Sequence, residues 1–249
     1  MAFIRLKNVY YKYPGSKDWI LKNINLEISR GRILIVGTTG SGKTTLLRIL
    51  AGLIPEIYGG VLRGVVEREG RIGYVPQNFD AFILMPKVKE ELIYVLENIG
   101  LDKDIIMEEI AKLSNALGIE KVLEHNISEL SMGEKQRVAI ASVLALKPEI
   151  LILDEPLAFI DPSMVNNFLN FIKNLRLKCI IIAEHRIEQL IDFVDRVIVL
   201  DKGTIIADDE PFEALRKTPD SIPKPLYIRL GFRSIEEMIE YVNSRRRLV

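Results

Sequence analysis

Residues 32–50, RILIVGTTGSGKTTLLRIL, decide the architecture. Ile33, Leu34, Ile35 and Val36 read as a short buried strand that runs into a glycine-rich loop. Gly37, Thr38, Thr39, Gly40, Ser41, Gly42, Lys43 and Thr44 satisfy the pattern G-x-x-x-x-G-K-[ST], and Thr45 follows at once. Glycines let successive backbone N–H groups point inward around phosphate oxygens. A helix starting near Gly42, with Leu46, Leu47 and Leu50 on one face, adds the positive end of its dipole. In such a loop Lys43 reaches the β- and γ-phosphates and Thr44 ligates Mg²⁺.

Working outward, FIRLKNVYYKY (3–13) and ILKNINLEI (20–28) read as strands, with Pro14-Gly15 and Arg30-Gly31 as turns. Strand and turn character continues through Gly59-Gly60 and VVEREGRIGYVPQ (65–77). From 87 to about 147 the apolar period becomes helical, in VKEELIYVLENIG, IIMEEIAKLSNALG and EKQRVAIASVLAL. Alternation of strand and helix then resumes with EILILDEP, MVNNFLNFIKNL, KCIIIAEH, IEQLIDFV and RVIVLDKG, which argues for a parallel sheet flanked by helices. Prolines break TPDSIPKP (218–225). Beyond it, Ser234 and Glu237 fit a capping box before a stripe of Ile235, Met238, Ile239 and Val242. That stripe either packs on its own domain or meets a dimer partner.

Two further stretches carry chemistry. In ILILDEP (150–156) a buried strand delivers Asp154 and Glu155 to its carboxyl end, where open α/β sheets place ligands. Asp154 there suits Mg²⁺ held through water, and Glu155 suits accepting a proton from an attacking water. LSMGEKQR (130–137) offers a serine hydroxyl and a helix N-terminus, both suited to an anion.

Taken together, these three motifs resemble the ATP-binding cassette (ABC) family, whose signature commonly runs LSGGQ with a trailing Q-R. The resemblance covers residues 3 to about 215, with Met132 and Glu134 departing from the usual glycine and glutamine while Ser131 and Gly133 are retained. It implies an α/β phosphate-loop NTPase with a mixed sheet core, an antiparallel β subdomain and an inserted helical subdomain. Residues 1–217 would form the ATPase domain, and residues 218–249 a linker with a short C-terminal helical extension. It also implies that Ser131, Met132, Gly133 and Glu134 meet the γ-phosphate of ATP held by a second subunit. Gln77 is similar to the family glutamine that senses Mg²⁺ and the attacking water. Asp161 in FIDP resembles the aspartate that crosses the dimer interface, and His185 resembles the histidine on the γ-phosphate. Tyr13 fits the ring that stacks on adenine, with Tyr10 and Tyr11 as nearby alternatives.

Since Lys43 and Ser131 of one chain address different nucleotides, the resemblance implies a head-to-tail dimer, with an identical chain or a sister ATPase. AGLIPEIYGGV (51–61), the segment 77–101 and the unusual AEHR around His185 resemble the ATPase subunits of energy-coupling factor transporters, which import vitamins or transition-metal ions such as cobalt and nickel. That subgroup implies an integral membrane coupling protein and a substrate-binding membrane subunit as partners, with Phe79, Phe82, Ile83 and Leu84 giving apolar contact to the former. The ATPase of a conventional ABC transporter shares every catalytic motif. Soluble ABC ATPases of DNA repair, iron–sulfur assembly or translation form another class, but neither a long coiled-coil insertion nor a second cassette is present in this sequence. A non-hydrolysing scaffold conflicts with intact Lys43, Asp154, Glu155 and His185.

Composition narrows the remainder. Lys+Arg and Asp+Glu both count 34, so the chain lacks the basic field of non-specific nucleic-acid binding. The basic run Arg245, Arg246 and Arg247 reads as a solvated helix end. A single cysteine, Cys179, excludes an internal disulfide and sits in an apolar run that suits a buried thiol. MAFIRLKN has no signal-peptide core, and no run approaches the ~18 apolar residues of a membrane span. The expected location is the cytoplasmic face of a membrane, reached through a partner.

Overall fold

The computed structural model describes residues 3–175 and 177–246; Arg247 of the terminal basic run, with Met1 and Ala2, lies outside them. In chain order the first elements are β1 (Phe3–Lys12), β2 (Leu21–Ile28), β3 (Gly31–Val36), α1 (Lys43–Leu50), β4 (Val61–Glu69) and β5 (Ile72–Val75). The helices α2 (Val88–Asn98), α3 (Lys103–Leu117) and α4 (Met132–Ala145) follow, then β6 (Ile150–Asp154), α5 (Val165–Asn174) and β7 (Cys179–Ala183). The chain closes with β8 (Arg196–Asp201), β9 (Thr204–Asp209), α6 (Pro211–Arg216), α7 (Leu226–Arg229) and α8 (Ile235–Arg246). It divides into two compact units.

One unit holds residues 68–182 with two short N-terminal pieces. Here β5 and β6 run parallel, in register from Ile72 opposite Ile150 to Val75 opposite Leu153. Every residue of β6 is buried, as a strand covered on both faces requires. The helices α2, α3 and α4 pack pairwise on one another, and α4 also lies on β5. Gly73 makes that approach possible, since a β-carbon there would stand 2.5 Å from Val143 Cγ1. Buried Glu91 on α2 accepts the amides of Leu84 and Met85, both at 2.9 Å, and so pins the chain that enters the helix. Cys179 is buried.

The other unit holds residues 5–27, 31–67 and 183–249. It contains an antiparallel sheet in the order β2-β1-β4 and a second group in which β3 pairs parallel with β8 and β8 antiparallel with β9. The mixed pairing follows from the short turn Lys202-Gly203, which cannot support a crossover and therefore returns β9 as a hairpin. On β1 the buried set shifts from Ile4 and Leu6 to Val9 and Tyr11 across Asn8, whose φ of 49° lets the strand step by one residue. The buried face of α1 is Leu46, Leu47, Ile49 and Leu50.

Two local expectations change. IEQLIDFV (187–194) forms consecutive turns rather than a helix, because its amides mix i−3 bonds (Leu190 to Ile187) with i−4 bonds (Ile191 to Ile187) and never settle into one ladder. Ser234 does accept the Glu237 amide at 3.2 Å, but the Glu237 carboxylate turns back to the amide of Arg233 at 2.7 Å instead of completing the box at Ser234. The α8 stripe is open, with Ile235, Ile239 and Val242 all more than two-fifths exposed. No helix among the described residues is long and apolar enough to cross a membrane.

Candidate nucleotide site

The glycine-rich loop spans the gap between β3 and α1. Gly40 and Gly42 have φ of 78° and 104°, the left-handed values that only glycine adopts without strain. A β-carbon on Gly37 would stand 2.2 Å from the Leu200 carbonyl oxygen, so the loop floor rests directly on the backbone of β8. Thr39 and Gly40 form the exposed crest, while Thr38 and Thr44 are half-buried and Thr45 is buried. Lys43, only 6% exposed, folds its Nζ onto the carbonyl oxygens of Gly37 at 2.9 Å and Thr38 at 3.2 Å. The Ser41 hydroxyl is buried and has no hydrogen-bond partner among the described residues. A buried polar group in that state looks for an acceptor or donor that the protein itself does not supply.

Tyr13 is tied to this loop from the side. Its hydroxyl lies 3.1 Å from Thr45 Oγ1 and accepts Arg48 Nη1 at 3.1 Å, while the Arg48 guanidinium stacks on Tyr58 at 4.2 Å. Tyr11 is fully buried, with its hydroxyl on the Gly59 carbonyl at 2.9 Å, and therefore cannot serve as a stacking ring. Tyr10 is engaged edge-on with Trp19. His185, half-buried, lies two residues past the end of β7 in this same unit.

The acidic pair and the LSMGEKQR loop lie in the other unit. Gln77 Nε2 donates to Glu155 Oε2 at 2.7 Å. Asp154 is 3% exposed and accepts the Tyr74 hydroxyl at 3.1 Å. Glu155 has φ of 51°, a left-handed backbone in which non-glycine residues are uncommon and which often marks a functional turn. Ser131 is the N-cap of α4. Its hydroxyl accepts the Glu134 amide at 3.3 Å, and the Glu134 carboxylate takes the Ser131 hydroxyl at 2.7 Å and amide at 2.9 Å. Those Ser131 bonds hold the Glu134 carboxyl below its ordinary range. Met132 is exposed, and Gly133 comes close to the Phe159 carbonyl. The Asp161 carboxyl, bonded by the hydroxyl and amide of Ser163, is likewise held low.

A cavity of 220 Å³ joins Gln77, Asn78, Phe79 and Asp80 to Met132 and Phe159, and a larger one of 550 Å³ runs beside Ser131, Gly133, Arg137, Phe159 and Asp161. Phe79 departs from expectation. It is 2% exposed and meets Phe159 edge-on at 5.7 Å, so it packs in the core and is not part of an open apolar face. Phe82 and Leu84 are exposed and Ile83 is half-buried.

Three contacts were not legible in the motifs. Tyr74 holds Asp154, and its only sequence sign is its place on the strand leading to Gln77. Gln136 donates to the Pro156 carbonyl at 2.7 Å, joining the LSMGEKQR helix to the turn that carries Glu155. Glu184 folds onto the amides of His185 and Arg186. Each contact links residues far apart in sequence or bends back on itself, so no spacing rule reports it.

Several known proteins resemble this chain. The family model described as "ABC transporter" matches residues 21–158. A Pyrococcus horikoshii protein, PH1815, described as an ABC transporter ATP-binding protein, is 37% identical over 93% of this chain and 89% of its own length. A Methanosarcina mazei protein of the same description is 35% identical over 90% of this chain, which spans only 41% of that relative's length. Among solved structures, cbiO1 from Clostridium perfringens, part of the ABC transporter complex cbiONQ, has a TM-score of 0.74 and 29% identity over 86% of this chain and 90% of its own. The ATP-binding cassette MJ0796, dimeric and bound to ADP and Pi, has a TM-score of 0.73 and 25% identity over 84% of this chain and 98% of its own. With a family match over more than half of its residues, the chain belongs to the ABC transporter family.

Proposed function

We propose that the chain hydrolyses ATP as one half of a nucleotide-sandwich dimer and powers an importer of the energy-coupling factor type. The hydrogen bond between Gln77 and Glu155 carries the hydrolytic reading, since it sets a carboxylate and an amide at one point beside the buried Asp154. The likeness to cbiO1 supports the importer class.

The residues present fit ATP and Mg²⁺. The unpartnered Ser41 hydroxyl, the open crest at Gly40 and the Lys43 ammonium folded onto loop carbonyls make a cradle suited to phosphate oxygens. Thr44 in one unit, and Asp154 and Gln77 in the other, would each offer oxygen to Mg²⁺, whose charge would offset that of the phosphates. Tyr13, fixed by Thr45 and Arg48, presents its ring to the base. Thr38, Thr39 and Thr45 line the phosphates with their N–H groups, and Lys43 shifts from the Gly37 carbonyl to phosphate oxygen. Glu155 takes the proton of the attacking water, which Gln77 orients. His185 steadies the γ-phosphate from the phosphate-loop unit. Ser131, Met132, Gly133 and Glu134 serve the nucleotide of the partner subunit, with Asp161 crossing between protomers.

Phe82, Ile83 and Leu84 form the apolar lip that meets a helix of a membrane coupling protein, which in turn works with a substrate-binding membrane subunit. The chain thus works peripherally at the cytoplasmic face of the membrane. The ATPase of a conventional ABC transporter is the second reading, favoured by the relatives described simply as ABC transporter ATP-binding proteins. Trapping Glu155→Gln with Mg-ATP in solubilised native membranes, and identifying what co-purifies, separates the two. A hydrophobic coupling protein with a small membrane subunit supports the first, a pair of permease subunits supports the second, and soluble partners alone overturn both.

A further inference from the structure

We infer that Glu184 is the positioning residue for His185, fixing the imidazole relative to the strand that carries the phosphate loop. The inference rests on the reading of His185 given above.

Residues of β7 are buried from end to end, CIIIA, and the chain must leave the sheet immediately after them. Past the strand end His185 is half-buried and Arg186 exposed, and their amides take an acceptor from the chain itself. Glu184, itself only 3% exposed, supplies one by folding back. Its Oε2 accepts the His185 amide at 2.6 Å and the Arg186 amide at 3.0 Å. Charge-assisted bonds of this kind to two successive N–H groups are short and directional. They fix the backbone on both sides of the His185 α-carbon and so set the direction in which its side chain leaves. On its other side the Glu184 amide points to the carbonyl of Ile35 at 3.4 Å, two residues before Gly37. One residue therefore joins β3, the strand that delivers Gly37, to the backbone of His185, and it does so within a single compact unit. A surface role does not account for a buried carboxylate spent on the amides of its own successors, whereas alignment of His185 does.

The test uses the full-length protein with Glu184→Ala and Glu184→Gln, each alone and combined with His185→Ala. Steady-state Mg-ATPase is measured alongside the ¹H–¹³C spectrum of the imidazoles, of which the chain has two. Glu184→Ala is expected to lower kcat about tenfold or more, with KM within roughly threefold, as loss of a contact that orients a ligating group does. Glu184→Gln keeps a carbonyl acceptor and is expected to recover most of the rate, and it covers the case in which the alanine variant fails to fold. In the His185→Ala background the alanine change is expected to cost nothing further, and the His185 resonance is expected to move in Glu184→Ala and return in Glu184→Gln.

Additive losses in the double variant, or an unmoved His185 resonance, would overturn the positioning role. If His185→Ala alone turns over normally while the resonance still follows Glu184, the positioning holds and the role of His185 on the γ-phosphate is what fails.

Discussion

Gln77 and Glu155 share a hydrogen bond of 2.7 Å, and the second of these residues holds a left-handed backbone with φ of 51°. That conformation turns the Glu155 carboxylate out of the line of β6 and onto the loop that follows β5. Glu155→Gln is expected to keep ATP affinity and to slow phosphate release by roughly 10²-fold or more, as removal of a general base does. Single-turnover hydrolysis reads this, and near-normal turnover would remove Glu155 from its role.

Ser131→Ala tests the division of labour between subunits. Isolated monomers are expected to bind nucleotide as before, because Ser131 is proposed to serve the nucleotide of the partner subunit. Hydrolysis by the dimer is expected to fall. Lost binding in the monomer would contradict a role in the partner's site.

Tyr74→Phe removes one donor from Asp154 and leaves the ring in place. A hydrogen bond to a charged group contributes about 1.5–3 kcal/mol, and outer-shell partners of metal ligands influence affinity 10- to 100-fold. The Mg²⁺ concentration for half-maximal ATPase is expected to rise by about tenfold, with metal-free nucleotide binding unchanged. An unaltered Mg²⁺ dependence would make the contact purely structural.

The α4 cap carries a pH signature. Ser131 holds the Glu134 carboxyl below its ordinary value of 4.5. A depressed acid stabilises the fold above that value, and the contribution is lost as pH falls through the lower folded value. Acid titration followed by amide exchange at the start of α4 is therefore expected to show loosening below pH 4.5 in the wild type. Glu134→Gln is expected to remove that dependence.

Gly73→Ala is expected to destabilise the protein by about 1–3 kcal/mol, the usual cost of overpacking, because the added carbon meets Val143 at 2.5 Å. Chemical denaturation measures it, and Val143→Ala in the same chain should recover part of the loss.

Much of this molecule is legible in its sequence. The apolar periods placed α1, α2, α3, α4 and β6 because each element has one strong face or none exposed, and the glycine loop announced itself by spacing. The segment 187–194 misled because its buried residues, Ile187, Leu190 and Ile191, satisfy a helical period without a helical ladder. Phe79 misled because hydrophobicity alone cannot tell a groove from a core, and only Phe159 beside it decides. Tyr74, Gln136 and Glu184 were silent because their partners are set by the tertiary fold or by a side chain bending back on its own backbone.

Gln136 offers a last consequence. Its bond to the Pro156 carbonyl makes the cap at Ser131 and the turn at Glu155 parts of one stiff piece. In a head-to-tail pair, that piece would hold the floor of one nucleotide and the ceiling of the other. Spent fuel on one side would then tilt the roof above its neighbour, so the two chambers would fire as a linked crankshaft rather than as independent cylinders.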